Sequence, residues 1–118
     1  MKEANTPWAA SLIGALAAGG VNHCYIAPGS RSTPLVLAAA SHPSITCHLH
    51  FDERGLAFQA VGHIKASGEP VSLITTSGTA TGNLLPGIME ADQEDLPLIV
   101  MTADRPPECH HTGAPQTL

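Results

Sequence analysis

Three of the five basic residues, Arg31, Arg54 and Arg105, stand where an apolar run gives way to a polar loop. Four such junctions carry side chains fit for chemistry: Ser30 and Arg31 in the first, Asp52, Glu53 and Arg54 in the second, Thr76, Ser77 and Gly78 in the third, Asp104 and Arg105 in the fourth. Only 13% of the chain is charged, about half the usual share. Charges placed for solubility belong on helix faces, so cations gathered at loop entrances point to a ligand.

The Gly29-Ser30-Arg31-Ser32-Thr33 loop offers backbone N–H groups, hydroxyls and a planar guanidinium to a carboxylate or phosphate. It reads equally well as a helix-capping loop whose arginine pairs with Asp52 or Glu53. It is not a P-loop, lacking the first glycine and the GK[ST] ending. Glu53, between a strand end and a helix start, suits the positive end of a helix as an ordinary N-terminal charge. Ser77-Gly78-Thr79 is a hydroxyl-lined turn where a ring or phosphate could approach the backbone, or an ordinary cap. The seven histidines show no ligand spacing: His48 and His50 alternate along a strand, and His110-His111 are adjacent in a loop. No metal site is expected within this chain. Cys24, Cys47 and Cys109 are widely spaced and without a CxxC pair, which predicts reduced, mostly buried thiols.

The elements that position these loops follow from periodicity. Thr6-Pro7 resembles a cap followed by proline at the first helical position, with Trp8, Leu12, Ile13 and Leu16 at helical spacing up to Gly19-Gly20. Strands are predicted at 21–27, 45–51, 71–75 and 98–102, the last two apolar at consecutive positions as in strands covered on both faces. Helices are predicted from Pro34 to about Ser41, from Gly55 to Ser67 with Gly68 closing it, and from Thr79 to about Glu94, which Pro86 should kink or split. Strands alternating with helices and without tight hairpin signals predict an α/β fold, an open parallel sheet with crossover helices on both faces.

The 118 residues suit one domain. Five basic against ten acidic residues, and 3% aromatic content, argue against a nucleic-acid surface. No run is long and apolar enough for a membrane span, and the opening MKEANTPW lacks signal-peptide grading, so a cytoplasmic protein is expected.

Four strings, IAPGSRSTPL at 26–35, HFDERGLAF at 50–58, TTSGTATGNLLP at 75–86 and TADRPPE at 102–108, together resemble the start of one family. It is the 2-succinyl-5-enolpyruvyl-6-hydroxy-3-cyclohexene-1-carboxylate synthase family, thiamine-diphosphate enzymes of menaquinone biosynthesis. The resemblance runs along essentially all 118 residues and implies a pyrimidine-binding domain at 1–118, without the central and diphosphate-binding domains. It implies that Glu53 is the glutamate that bonds the aminopyrimidine ring and promotes its imino tautomer, and that Ser77 and Gly78 lie against the cofactor. Ser30, Arg31, Arg105 and Gln116 match substrate-contacting positions for 2-oxoglutarate and isochorismate. The implied reaction decarboxylates 2-oxoglutarate and adds the resulting succinyl-semialdehyde unit to isochorismate, with Mg²⁺ or Mn²⁺ held by residues outside this chain. The family's active site lies between subunits, which implies a homodimer or homotetramer and an isolated chain that is inactive. Competing expectations are an acetolactate-synthase-like decarboxylase domain, which shares the glutamate, and a non-catalytic α/β assembly module.

Overall fold

The computed structural model describes residues 2–117. Four parallel strands, β1 (His23–Ile26), β2 (Thr46–Leu49), β3 (Val71–Thr75) and β4 (Leu98–Thr102), form one sheet in the order β2-β1-β3-β4. Helices α1 (Lys2–Ala18) and α2 (Thr33–Ser41) pack on one face, while α3 (Glu53–Ser67), α4 (Thr79–Asn83) and α5 (Leu85–Gln93) lie on the other. Side-chain alternation along the strands divides the core. Cys24, Ile26 and Ile74 join Ile13, Leu35 and Ala39 on the α1/α2 side. Tyr25, Val71 and Leu73 join Leu56, Ala60, Ile64 and Leu84 on the other. The predicted parallel sheet with helices on both faces is the observed one.

Local signals account for most boundaries. Asp52 caps α3 by accepting from the amides of Arg54 and Gly55 at 2.9 and 3.1 Å, and Gly68 closes the helix. Those amides, that of Gly55 foremost, hold the Asp52 carboxyl below the usual carboxylate range, helped by the nearby charges of Arg54 and His50. Pro86 divides the 79–94 stretch, where α4 ends at Asn83 and α5 begins at Leu85.

The first strand, His23–Ile26, is shorter than the expected 21–27, and three further expectations need correction. Pro7 is inside α1, which begins at Lys2, so Thr6 does not cap it. Cap-then-proline marks a first turn, but this proline falls in the second, at the loss of one ladder bond. The second strand is shorter than 45–51; past Leu49 the His50 amide makes one last bond to the Ile26 carbonyl of β1 at 3.1 Å, and the chain then turns at Asp52, whose amide donates to His50 Nδ1 at 2.9 Å. β3 is buried at every position, as expected of a central strand, but β4 is the sheet's edge and only half-buried. Its Leu98 and Val100 touch one core cluster and Met101 the other. The apolar run therefore reports contact with both layers, with incomplete cover because no strand pairs on its far side among the described residues.

Candidate active site

Strand order reverses direction between β1 and β3, and in open α/β sheets ligands bind beyond the carboxyl ends of strands at such a point. Here the two loops are pressed together. Ala27 N–H donates to the Ile74 carbonyl at 3.0 Å, and a Cβ on Gly29 would overlap the Thr76 side chain. The Ser32 hydroxyl donates back to the Gly29 carbonyl at 3.0 Å and that of Thr33 to the Ser30 carbonyl at 2.8 Å. These bonds wind Ser30–Ser32 into a single 3₁₀ turn. Ser32 is buried by this, while Ser30 and Arg31 remain exposed.

Arg105, 74 residues further along, comes to the same place because parallel strands deliver their ends to one edge. Ser30, Arg31, Asp104 and Arg105 line one cleft of about 720 Å³. The capping alternative for Arg31 is not what forms: among the described residues no carboxylate lies within 4.0 Å of either guanidinium. Asp104 is instead occupied within its own loop, accepting the Arg105 amide at 2.7 Å and lying 3.2 Å from His110 Nε2. That leaves the Arg105 side chain to the cleft, with a buried Nε that lacks a hydrogen-bond partner.

At the end of β3, Thr75, Thr76 and Ser77 present three consecutive buried hydroxyls, none with a partner among the described residues. Each unmet buried polar group costs about 1–3 kcal/mol. Gly78 follows at φ 77°, ψ −139°, a conformation suited to glycine. A Cβ there would stand 2.7 Å from the Gln116 Cα. Gln116 thus lies against the Ser77-Gly78 turn by its backbone and does not line the Arg31–Arg105 cleft, so the expected substrate-contacting residues fall into two groups.

Glu53 opens α3 at the same sheet edge, half-buried, and its Oε2 accepts a hydrogen bond from Asn83 Nδ2 at 3.3 Å. It is tied to the last turn of α4 and makes no ion pair among the described residues.

One constellation had no sequence signal. His23, His48 and His63 each bring a ring nitrogen within 4.8 Å of the other two. They come from β1, β2 and α3, so no local spacing could betray them. Of the thiols, Cys24 is buried and Cys47 and Cys109 are half-buried, and all three are free. Burial pushes the Cys24 thiol up to about 11, with nearby Cys47 adding to it and a Ser72 hydrogen bond opposing.

No helix among the described residues is long and apolar enough to cross a membrane. Residues 8–118 match the family described as thiamine pyrophosphate enzyme, N-terminal TPP binding domain. The chain is 56% identical over 121 residues, 99% of its length, to a 2-succinyl-5-enolpyruvyl-6-hydroxy-3-cyclohexene-1-carboxylate synthase of Halorhodospira halophila, and covers 22% of that protein. Proteins of the same name from Yersinia enterocolitica and Cronobacter sakazakii are 58% and 57% identical over 97% of the chain, which covers 20% of each. The chain thus spans about a fifth of the length of the curated relatives it matches. The all-parallel sheet with helices on both faces agrees with that match, and the chain belongs to the family of N-terminal thiamine pyrophosphate-binding domains of thiamine pyrophosphate enzymes.

Proposed function

We propose that this chain is the pyrimidine-binding domain of a thiamine-diphosphate-dependent synthase that decarboxylates 2-oxoglutarate and adds the succinyl-semialdehyde unit to isochorismate. One observation carries the substrate class: two of only three arginines, Arg31 and Arg105, line one strand-end cleft, and among the described residues neither is neutralised by a carboxylate. Both substrates bear carboxylates, which a guanidinium binds through two parallel N–H donors. The likeness to proteins bearing the synthase's name supports the same reading.

The residues present fit the cofactor's aminopyrimidine end. Three partnerless hydroxyls at Thr75–Ser77 and a turn at Gly78 without a Cβ suit a polar ring brought close to backbone. When bound, thiamine diphosphate supplies the electron sink for decarboxylation of a 2-oxo acid. Glu53 would stand against a ring nitrogen of the bound aminopyrimidine and exchange a proton with it through its carboxyl, which Asn83 fixes from one side. Arg31 and Arg105, with Ser30, bind and orient the substrate carboxylates, and Gln116 adds an amide beside the Ser77-Gly78 turn. Mg²⁺ or Mn²⁺ is held with the diphosphate by residues outside this chain, so the 118 residues alone carry no decarboxylase activity. The protein acts in the cytoplasm as a homodimer or homotetramer. Leu49, Phe51, Leu85 and Met89, each 57–90% exposed, support partner surfaces covering this domain.

The test is product formation by the intact protein with thiamine diphosphate and Mg²⁺, followed by mass spectrometry. The expected result is consumption of 2-oxoglutarate and isochorismate together. Turnover of pyruvate with isochorismate untouched would move the protein to the acetolactate-synthase-like reading.

A further inference from the structure

The β1–β2 register sets Tyr25 opposite His48 and His23 opposite Thr46. His23 and His48 are therefore diagonal neighbours on one sheet face, the face that α3 covers and to which Tyr25 belongs. His63 reaches the same spot from α3. His23 Nδ1 and His48 Nε2 are 2.9 Å apart, and Tyr25 Oη holds His63 Nδ1 at 2.8 Å. All three imidazoles are half-buried, and His48 and His63 border an open cleft of about 720 Å³ with Tyr25, Gln59 and Ser67.

We propose that His23, His48 and His63 form a three-histidine site for a first-row divalent transition metal of the Zn²⁺ class, with its remaining position open to this cleft. Three protein nitrogens plus an open position is the donor count of an exchangeable zinc site. In such a site, with metal–nitrogen bonds of about 2.0 Å, neighbouring nitrogens are about 3.3 Å apart. The His23–His48 separation of 2.9 Å must open slightly and the widest spacing, at most 4.8 Å, must close, adjustments within reach of imidazole rotation. Tyr25 supplies the outer hydrogen bond that fixes a ligating ring. Imidazoles without a carboxylate disfavour Mg²⁺, Mn²⁺ and Ca²⁺, which take oxygen ligands, so this site is separate from the divalent ion that accompanies a diphosphate. The same histidines also have a metal-free role, since the close nitrogen pair is held by a hydrogen bond and the His23 and Tyr25 rings stack on His48.

The test titrates the metal-stripped intact protein with Co²⁺, in excess Mg²⁺, and reads the visible ligand-field spectrum. One equivalent should bind at micromolar metal without a thiolate charge-transfer band, and Zn²⁺ should displace it. His48→Gln and His63→Gln should each weaken binding by about 100-fold or more, and His42→Gln, outside the cluster, should leave it unchanged. If either cluster variant loses its far-ultraviolet dichroism, Tyr25→Phe decides: it retains all three donors and should weaken binding about tenfold. No uptake, competition by Mg²⁺, a thiolate band, or unchanged affinity in a folded cluster variant or in Tyr25→Phe would each overturn the site.

Discussion

Glu53 Oε2 accepts a hydrogen bond from Asn83 Nδ2 at 3.3 Å, which joins the first turn of α3 to the last turn of α4. The bond fixes the carboxyl from one side chain without neutralising it. Glu53→Gln keeps an acceptor for Asn83 but removes the shareable proton. In the intact protein it should slow exchange of the cofactor's thiazolium C2 proton by about 100-fold or more, with stability changed by less than about 1 kcal/mol. Quenched-flow NMR of that exchange checks it, and an unaltered rate would make Glu53 a structural residue.

Arg31→Ala and Arg105→Ala should each raise KM for the 2-oxo dicarboxylate about 10- to 100-fold, the equivalent of about 1.5–3 kcal/mol for a hydrogen bond to a charged group. Neither makes an ion pair among the described residues, so melting temperatures should scarcely move. Arg31→Lys should rescue poorly, since an ammonium lacks the planar fork. Steady-state kinetics beside a thermal melt separates these outcomes from a folding defect.

Gly78→Ala should destabilise by about 1–3 kcal/mol, because alanine is strained at φ 77°, ψ −139° and its methyl would press on Gln116. Cofactor affinity should fall with it as the turn moves. Denaturant unfolding and calorimetric titration of the intact protein measure the two effects.

Stability should decline on acidification through the histidine range in metal-free protein. Burial pushes the His48 imidazole below its ordinary 6.5, and the charges of His23 and His63 push it further. With the folded value below the unfolded one, the unfolded chain binds more protons as pH falls, so this stability is present above about pH 6.5 and is lost below it. Melting temperatures across that range, with a chelator, should fall more steeply in the wild type than in His48→Gln.

Much of this protein was legible from short windows of sequence. Asp52 as a cap, Pro86 as a break and the apolar 71–75 run all act within a few residues of themselves. The alternation of such windows was enough for a parallel sheet, and with it for the arrival of Arg31 and Arg105 at one edge. The cap-and-proline signal at Thr6-Pro7 failed because it is shared by first turns and tolerated second turns. The incomplete cover of β4 escaped because an apolar run does not say whether its strand is central or at an edge.

Register and chain return were settled only by tertiary structure. The placing of Tyr25 opposite His48 depends on how β1 slides against β2, since a shift of one residue would turn His48 to the other face. The approach of Gln116 to Gly78, and of His63 to Tyr25 on β1, depends on packing across 38 residues. Local propensities carry no record of such contacts, because these arise when the sheet and α3 bury a common core, and that burial selects which distant polar groups meet.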